Sequence, residues 1–415
     1  MSIRHDGSVL INTPCASTAV ARTFWAVVLA LVLVACGADG NAADHDDIAT
    51  PLPNPLPGVA AAVDVLRGSI VIRQPVDLAE VDGEAIRAVY RTVSGVDGGA
   101  RDVSGVFVVP SGQPPTGGWP LISMAHGTTG IAQDCGPSLD PDLMGFLPTV
   151  RDLVVHGYAV ALTDYEGLGG DGIHPYLEPR TAAFNVIDAA RAIRNIFPGI
   201  SQRWVALGNS QGGQAVWATG EVVANDADEL ELVGVAALSP AANLTPLAQR
   251  AAESRLTPDQ RAVLPMVVAG LERSDPGLRI RNLISAQVRA EGGAAFACHS
   301  AASPAVDLRW SDRDDVDAFR DALRKIALPQ QRPSAPMLVV NGLADNTIAA
   351  PWVADAVRGA CDLGGRIQHV EVDGAGHGDL GASSYRILYE WLRDRFAAVD
   401  PPSNCGQQAQ QIDQG

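Results

Sequence analysis

Three residues far apart in the chain have the side chains that acyl transfer needs. Ser210 stands in Gly208-Asn209-Ser210-Gln211-Gly212. A serine hydroxyl attacks a carbonyl usefully only when a neighbouring base removes its proton. Of the eight histidines, those that follow Ser210 are His299, His369 and His377. His377 lies in Gly374-Ala375-Gly376-His377-Gly378, a glycine-flanked loop before the final helical stretch, whereas His369 falls inside a strand-like run and His299 in a strand-poor region. The imidazolium formed during attack needs a carboxylate to orient and stabilise it. Asp345, in Asn341-Gly342-Leu343-Ala344-Asp345-Asn346-Thr347, follows an apolar run and supplies the order serine, acid, histidine. Asp355 and Asp373 are its rivals, and Asp373 is better read as the end of a strand. Acyl transfer also needs donors for the oxyanion. The backbone N–H of Gln211 is one, and the loop His126-Gly127-Thr128-Thr129-Gly130 offers a second at Thr128. His126 reads as a residue that shapes this loop, not as a base.

Such side chains meet only if the elements between them form a sheet with a common edge. Residues 204–207 are strand-like, Gly208 and Gly212 flank the serine, and residues 214–220 read as the start of a helix. A tight strand-to-helix turn demands small neighbours two positions either side of the serine. Apolar runs at 119–125, 158–163, 204–207, 233–238, 337–340 and 367–372 suit a parallel sheet covered on both faces. Earlier β-prone segments at 69–73, 85–93 and 103–109 are separated by turns such as Val96-Asp97-Gly98-Gly99 and predict an antiparallel edge. Phe184, Ile187, Ala190 and Ile193 form a helical stripe over 181–196, stopped by Pro198-Gly199, and residues 382–396 form a last helix. The expectation is an α/β fold with a mostly parallel central sheet and helices on both faces. Its core spans 60–240 and 331–405. Residues 241–330 interrupt the alternation with helical patches at 258–271 and 316–326, at the sheet end where ligands bind, and read as a helical cap or lid. Leu264, Met266, Val267, Val268 and Leu271 there either line an acyl-binding surface or pack between cap helices. Glu166, in Asp164-Tyr165-Glu166-Gly167, either lines the pocket or bonds to the backbone of a turn.

Composition narrows the function classes. The chain has 415 residues, 47% of them hydrophobic, which suits a core-forming protein. A net charge of −17 excludes phosphate-backbone recognition and electrostatic adsorption to anionic lipid. The apolar run 26–35 follows Arg22 and precedes Cys36, and suits a signal-peptide core. Leu33-Val34-Ala35-Cys36 looks like a lipobox, so residues 1–36 are expected to be a lipoprotein-type leader with Cys36 lipidated. Membrane contact would then come through that anchor, and the chain would be an exported envelope protein, or alternatively a secreted one. Residues 37–59, ending in PLPNPLPG, read as a flexible linker, and 406–415 as a disordered tail. With Cys15 and Cys36 set aside, Cys135, Cys298, Cys361 and Cys405 remain, an even number that predicts two disulfides in an oxidising compartment. Their spacing does not suit a zinc site, and no metal or organic cofactor is implied.

HGTTG at 126–130, DCGPS at 134–138, DYEGLG at 164–169, GNSQGG at 208–213, GLAD at 342–345 and GAGHG at 374–378 occur in order. Together they resemble the secretory lipase family of α/β-hydrolases, fungal lipase A-like enzymes with a helical cap, over roughly residues 60–405. The resemblance implies Ser210, Asp345 and His377 as a catalytic triad and a lipid or simple carboxylic ester as substrate. It also implies the pairs Cys135–Cys298 and Cys361–Cys405. The family often has Tyr or His at the position of Asn209, which bears on reactivity or fit. The lipobox departs from freely secreted members. Against a carboxylic-ester hydrolase stand two other readings: an acyltransferase or peptidase on the same scaffold, and a catalytically silent lipoprotein that binds a hydrophobic ligand. An intact Ser–His–Asp set argues against the last.

Overall fold

The computed structural model describes residues 66–278, 280, 298 and 313–415. The leader, Cys36 and the linker lie outside the described residues, as do 281–297 and 299–312 of the expected insertion.

The apolar runs become strands because both of their faces are covered. Ten strands form one sheet in the order β1-β2-β3-β5-β4-β6-β7-β8-β9-β10. They are β1 (Ile70–Val76), β2 (Gly83–Val93), β3 (Ala100–Pro110), β4 (Trp119–Ala125), β5 (Ala159–Thr163), β6 (Ile200–Asn209), β7 (Glu231–Leu238), β8 (Met337–Gly342), β9 (Ile367–Asp373) and β10 (Gln410–Asp413). The first three are antiparallel and join the rest through an antiparallel β3–β5 pairing; all later pairings are parallel. Successive residues feed opposite cores, as the period of two requires. Leu121, Ala206, Ala237 and Val339 point to one apolar cluster, and Ile122, Val205, Ala236 and Val340 to the other.

The second cluster is closed by α1 (Leu147–Val155) and the C-terminal helix. The first is closed by α2 (Pro179–Ile196) and α3 (Gln211–Asp226). The insertion contributes α4 (Pro246–Ala252), α5 (Pro258–Ser274) and α6 (Arg313–Ile326), which join this same apolar cluster. Helices α7 (Ala350–Asp362) and α8 (Gly381–Phe396) complete the layers. Helix α6 shows why a strongly charged segment folds here: Val316, Phe319, Ala322, Leu323 and Ile326 are buried on one stripe. Among the described residues no helix is long and apolar enough to cross a membrane.

Two disulfides are present, with Cα–Cα separations of 5.0 Å for Cys135–Cys298 and 5.5 Å for Cys361–Cys405. The first fastens the insertion to the loop after β4. The second bears on the C-terminus. Residues 406–415, expected as a disordered tail, instead supply β10, which pairs in parallel with β9 over Gln410–Asp413. The physical reason is local: β9 is otherwise an open edge with unpaired backbone groups, and the disulfide at Cys405 holds the following chain beside it.

Candidate active site

Ser210 occupies the single residue between β6 and α3, with φ 55° and ψ −116°. This is a sparsely populated backbone conformation for a residue with a Cβ, and the surroundings hold it. The Ser210 N–H donates to the Leu238 carbonyl at 2.9 Å, and its own carbonyl accepts from Gln214 N and Ala241 N at 3.1 and 3.0 Å. The flanking glycines are a steric requirement. A Cβ on Gly208 would lie 2.4 Å from the Gly212 carbonyl oxygen, and one on Gly212 would lie 2.0 Å from that of Ala125.

His377 Nε2 is 2.8 Å from Ser210 Oγ, and His377 Nδ1 is 2.7 Å from Asp345 Oδ2. The other carboxylate oxygen of Asp345 accepts from the N–H groups of Thr347 and Ile348, each at 2.8 Å. With the acid as acceptor, Nδ1 carries the proton and the Nε2 lone pair faces the serine hydroxyl. The Asp345 side chain is fully buried, whereas the His377 side chain keeps 23% of its surface exposed. The rivals are engaged elsewhere: Asp355 pairs with Arg358, and Asp373 ends β9 at the surface. His369 lies in β9 bonded to Asn341 at 2.7 Å, and burial pushes its pKa down to about 4. His299 is outside the described residues.

Gln211, expected as an oxyanion donor, is the first residue of α3, so its N–H has no partner within the helix. The Gln211 side chain is clamped: its Nε2 donates to His174 Nε2 at 3.0 Å, and His174 Nδ1 donates to the Glu166 carbonyl at 2.8 Å. Complete burial pushes the pKa of His174 down to about 3, so this ring stays neutral and keeps one donor and one acceptor. Thr128 Oγ1 shares a 2.7 Å hydrogen bond with the Tyr176 hydroxyl, a phenol that burial pushes up to about 12. Neither His174 nor Tyr176 stands out in the sequence; the signal that holds them is the stretch that follows DYEGLGG. His126 is buried against the carbonyls of Gly127 and Asp164, at 2.6 and 3.3 Å, and does not bond to Ser210. Glu166 lines neither cavity beside Ser210: it pairs with Arg101 at 2.8 Å.

The fold that carries these residues is shared with known proteins. The secretory lipase family model matches residues 147–303. Lipase A of Candida antarctica in its closed state superposes with TM-score 0.68 at 16% identity, over 83% of this chain and 86% of that one. A rice cell wall degrading esterase, LipA from Xanthomonas oryzae, superposes with TM-score 0.63 at 21% identity, over 80% and 97%. The fold is that of the α/β-hydrolases. No curated protein matches the chain.

In this hydrolase fold the inserted helices bear directly on the serine. Beside Ser210 and His377 opens a cavity of about 410 Å³ beneath α5. Of the five apolar residues singled out in the insertion, all are buried, and Met266 and Val267 line the cavity while Leu264, Val268 and Leu271 pack away from it. The helix thus turns one face to the cavity and another into the core. The ends of α5 are tied to the site. Thr257 and Gln260 form a capping box and donate to the carbonyls of Asn346 and Thr347, in the loop that carries Asp345, at 2.6 and 3.2 Å. At the other end Arg273 donates to the carbonyls of Ile131 and His174 at 3.0 and 3.1 Å. Among the described residues the one group with metal-ligand composition, Asp134 with Cys135 and Cys298, has both thiols consumed in the disulfide.

Proposed function

We propose that the chain is a serine carboxylic-ester hydrolase, a lipase or esterase, with Ser210, His377 and Asp345 as its triad. One observation carries the reading: an unbroken hydrogen-bonded line from a buried carboxylate through an imidazole to a serine hydroxyl beside an apolar cavity. Ser210 Oγ attacks the ester carbonyl carbon while His377 Nε2 takes its proton. The N–H groups of Gln211 and Thr128 receive the negative charge on the carbonyl oxygen, assisted by the N-terminus of α3. His377 then protonates the leaving alcohol, and the acyl group remains on Ser210. Water, deprotonated by His377, attacks this ester in turn, and the proton returns to Ser210 Oγ. Asp345 holds the imidazole in the required tautomer and stabilises its cation.

The secretory lipase match and the α/β-hydrolase fold support ester chemistry over peptide chemistry, and the apolar cavity supports an acyl chain as the group bound. We further assign the N-terminal segment as a lipoprotein leader with Cys36 as the lipidated residue, and the chain as exported. The two disulfides support an oxidising compartment. The test is hydrolysis of p-nitrophenyl butyrate. Ser210→Ala is expected to lower kcat by roughly 10⁴–10⁶-fold with an unchanged unfolding midpoint. Wild-type turnover in that variant would refute the mechanism.

A further inference from the structure

The segment His174-Pro175-Tyr176, between β5 and α2, reaches two residues beside the nucleophile. The His174 ring holds Gln211, whose side-chain Nε2 donates to His174 Nε2 at 3.0 Å. Two positions on, the Tyr176 hydroxyl shares a 2.7 Å hydrogen bond with Thr128 Oγ1. Gln211 and Thr128 are the residues whose backbone N–H groups are assigned above to the oxyanion. Both holding side chains are buried, and His174 lines neither cavity beside Ser210. The segment is itself held. His174 Nδ1 donates to the Glu166 carbonyl at 2.8 Å, and the Pro175 carbonyl accepts from Glu178 N at 2.9 Å. Helix α5 of the insertion grips it from another side. Arg273 Nη1 donates both to the His174 carbonyl at 3.1 Å and to the Ile131 carbonyl at 3.0 Å. Ile131 directly follows the HGTTG loop, so one guanidinium nitrogen joins the end of the loop that carries Thr128 to the segment that holds Gln211. The helix also packs closely there: a Cβ on Gly270 would lie 2.3 Å from the Tyr176 carbonyl oxygen.

We propose that His174 and Tyr176 are positioning residues for the two oxyanion-binding N–H groups, and that Arg273 makes the inserted helix part of the same device. The assignment rests on the hydrolase reading above and deepens it. The peptide unit between Ser210 and Gln211 joins a serine at φ 55° to the first turn of α3. That serine conformation is sparsely populated, so rotation of the peptide would relieve it and re-aim the Gln211 N–H. Anchoring the Gln211 side chain to a buried ring opposes such a rotation. Thr128 lies in a loop with no helix or strand around it, so its backbone direction depends on what its side chain bonds to. A donor aimed in advance stabilises the developing alkoxide without reorganising, and a hydrogen bond weakens steeply as its angle opens. The insertion then acts on the chemical step itself, and not only by lining the cavity beside Ser210.

Two inhibitors of one shape separate aim from stability. Butyl methyl ketone binds as a carbonyl. Butyl trifluoromethyl ketone is attacked by Ser210 Oγ: a C–O bond forms, the serine proton passes to His377, and the carbonyl oxygen becomes an alkoxide facing the two N–H groups. The ratio of the methyl to the trifluoromethyl inhibition constant therefore reads the oxyanion donors. Loss of folded enzyme changes neither constant. His174→Phe keeps a ring against Tyr165 but offers Gln211 no acceptor. It is expected to lower this ratio, and kcat/KM on p-nitrophenyl butyrate with it, by roughly 10–100-fold. His174→Gln restores an acceptor and is expected to recover the ratio to within threefold of wild type. Tyr176→Phe, which removes one oxygen and serves if His174→Phe does not fold, is expected to lower it three- to tenfold. Arg273→Met is expected to lower it by a similar factor, with the methyl ketone constant within twofold. A ratio within twofold of wild type in His174→Phe and Tyr176→Phe, or in Arg273→Met, overturns the assignment. So does an equal loss in His174→Gln and His174→Phe. Hydrolysis that persists in Ser210→Ala would remove the hydrolase reading and this one together. A Ser210-dependent enzyme whose ratio ignores these residues would remove only this one.

Discussion

At the carboxyl end of β5, Asp164 is wholly buried, and its carboxylate accepts from Ser104 Oγ at 2.5 Å, from the Ser138 N–H at 2.8 Å and from Ser138 Oγ. His126 lies beside it, bonded to backbone carbonyls. At the ends of β6, β8 and β9, Asp345, His377 and Ser210 are held at similar distances. Both clusters contain an aspartate, a histidine and a serine, yet their connectivity differs. In the first the hydroxyls donate straight to the carboxylate, and the histidine ring bonds to backbone carbonyls, so no imidazole stands between acid and hydroxyl. In the second the imidazole separates acid from hydroxyl, and the cavity reaches the serine. Residue types alone therefore do not make a nucleophile; the position of the imidazole does. The sealed cluster instead pins together β3, the loop of Ser138 and the end of β5.

The contrast breaks most sharply at the two acids. Asp345→Asn keeps an oxygen for the Thr347 and Ile348 N–H groups but removes the charge that fixes the His377 tautomer. It is expected to lower kcat on p-nitrophenyl butyrate by roughly 10³–10⁴-fold, with little change in the urea midpoint. A loss under tenfold would mean that the acid is supplied from elsewhere. Asp164→Asn should behave in the opposite way. It sets an amide N–H₂ against two serine hydroxyls in a buried site, and is expected to cost about 2–4 kcal/mol in urea unfolding. The kcat of the remaining folded enzyme should stay within about fivefold of wild type. A large loss of kcat without loss of stability would make Asp164 part of the chemistry and erase the distinction.

The open cluster was legible in the sequence and the sealed one was not, for a physical reason. Ser210, Asp345 and His377 each follow an apolar run, and a sheet brings the ends of such runs to one edge. The six runs became β4 to β9; β4 keeps the bounds of its run, β5 starts one residue later, and the other four are longer than their runs, as where Ser201, Gln202 and Arg203 extend β6 back to Ile200. Asp164 and Ser138 sit in motifs that could be quoted, but their pairing depends on how two loops fold onto each other, which no periodicity records. Helix α1 was missed because it starts on Leu147-Pro148 straight after a turn in which Met144 has φ 54°, so no run of ordinary helix formers announces it. Helix α7 carries a readable stripe of Trp352, Val353, Ala356 and Val357, hidden by Pro351 in its first turn. Strand β10 is the clearest failure: Gln-Gln-Ile-Asp has no strand pattern, and its conformation is set by the edge of β9.

His174 connects the two clusters and gives the smallest effect. Its ring stacks on Tyr165, which packs against His126 in the sealed cluster, while its Nε2 accepts from the Gln211 side chain beside the nucleophile. In the proposed mechanism His377 takes and releases a proton in every turnover; His174 must never take one, because a protonated Nε2 would confront the Gln211 amide N–H₂ in a fully buried site. The sign of the consequence follows from linkage. With the folded ring held at about 3 and the unfolded one near its ordinary 6.5, the unfolded chain binds a proton between these values that the folded chain does not. Stability is full above pH 6.5 and falls as the pH drops through that window, by about 2 kcal/mol at pH 5 through this ring alone. His126, also pushed down by burial, adds a change of the same sign, so the informative quantity is a difference between proteins. His174→Gln keeps an acceptor for Gln211 but does not titrate. Its urea midpoint should start lower than that of wild type at pH 7.5 and converge on it by pH 5. Parallel midpoints across that range would show that the ring is not sealed from protons, and that the part of the molecule behind Gln211 resembles the open cluster more than the buried one.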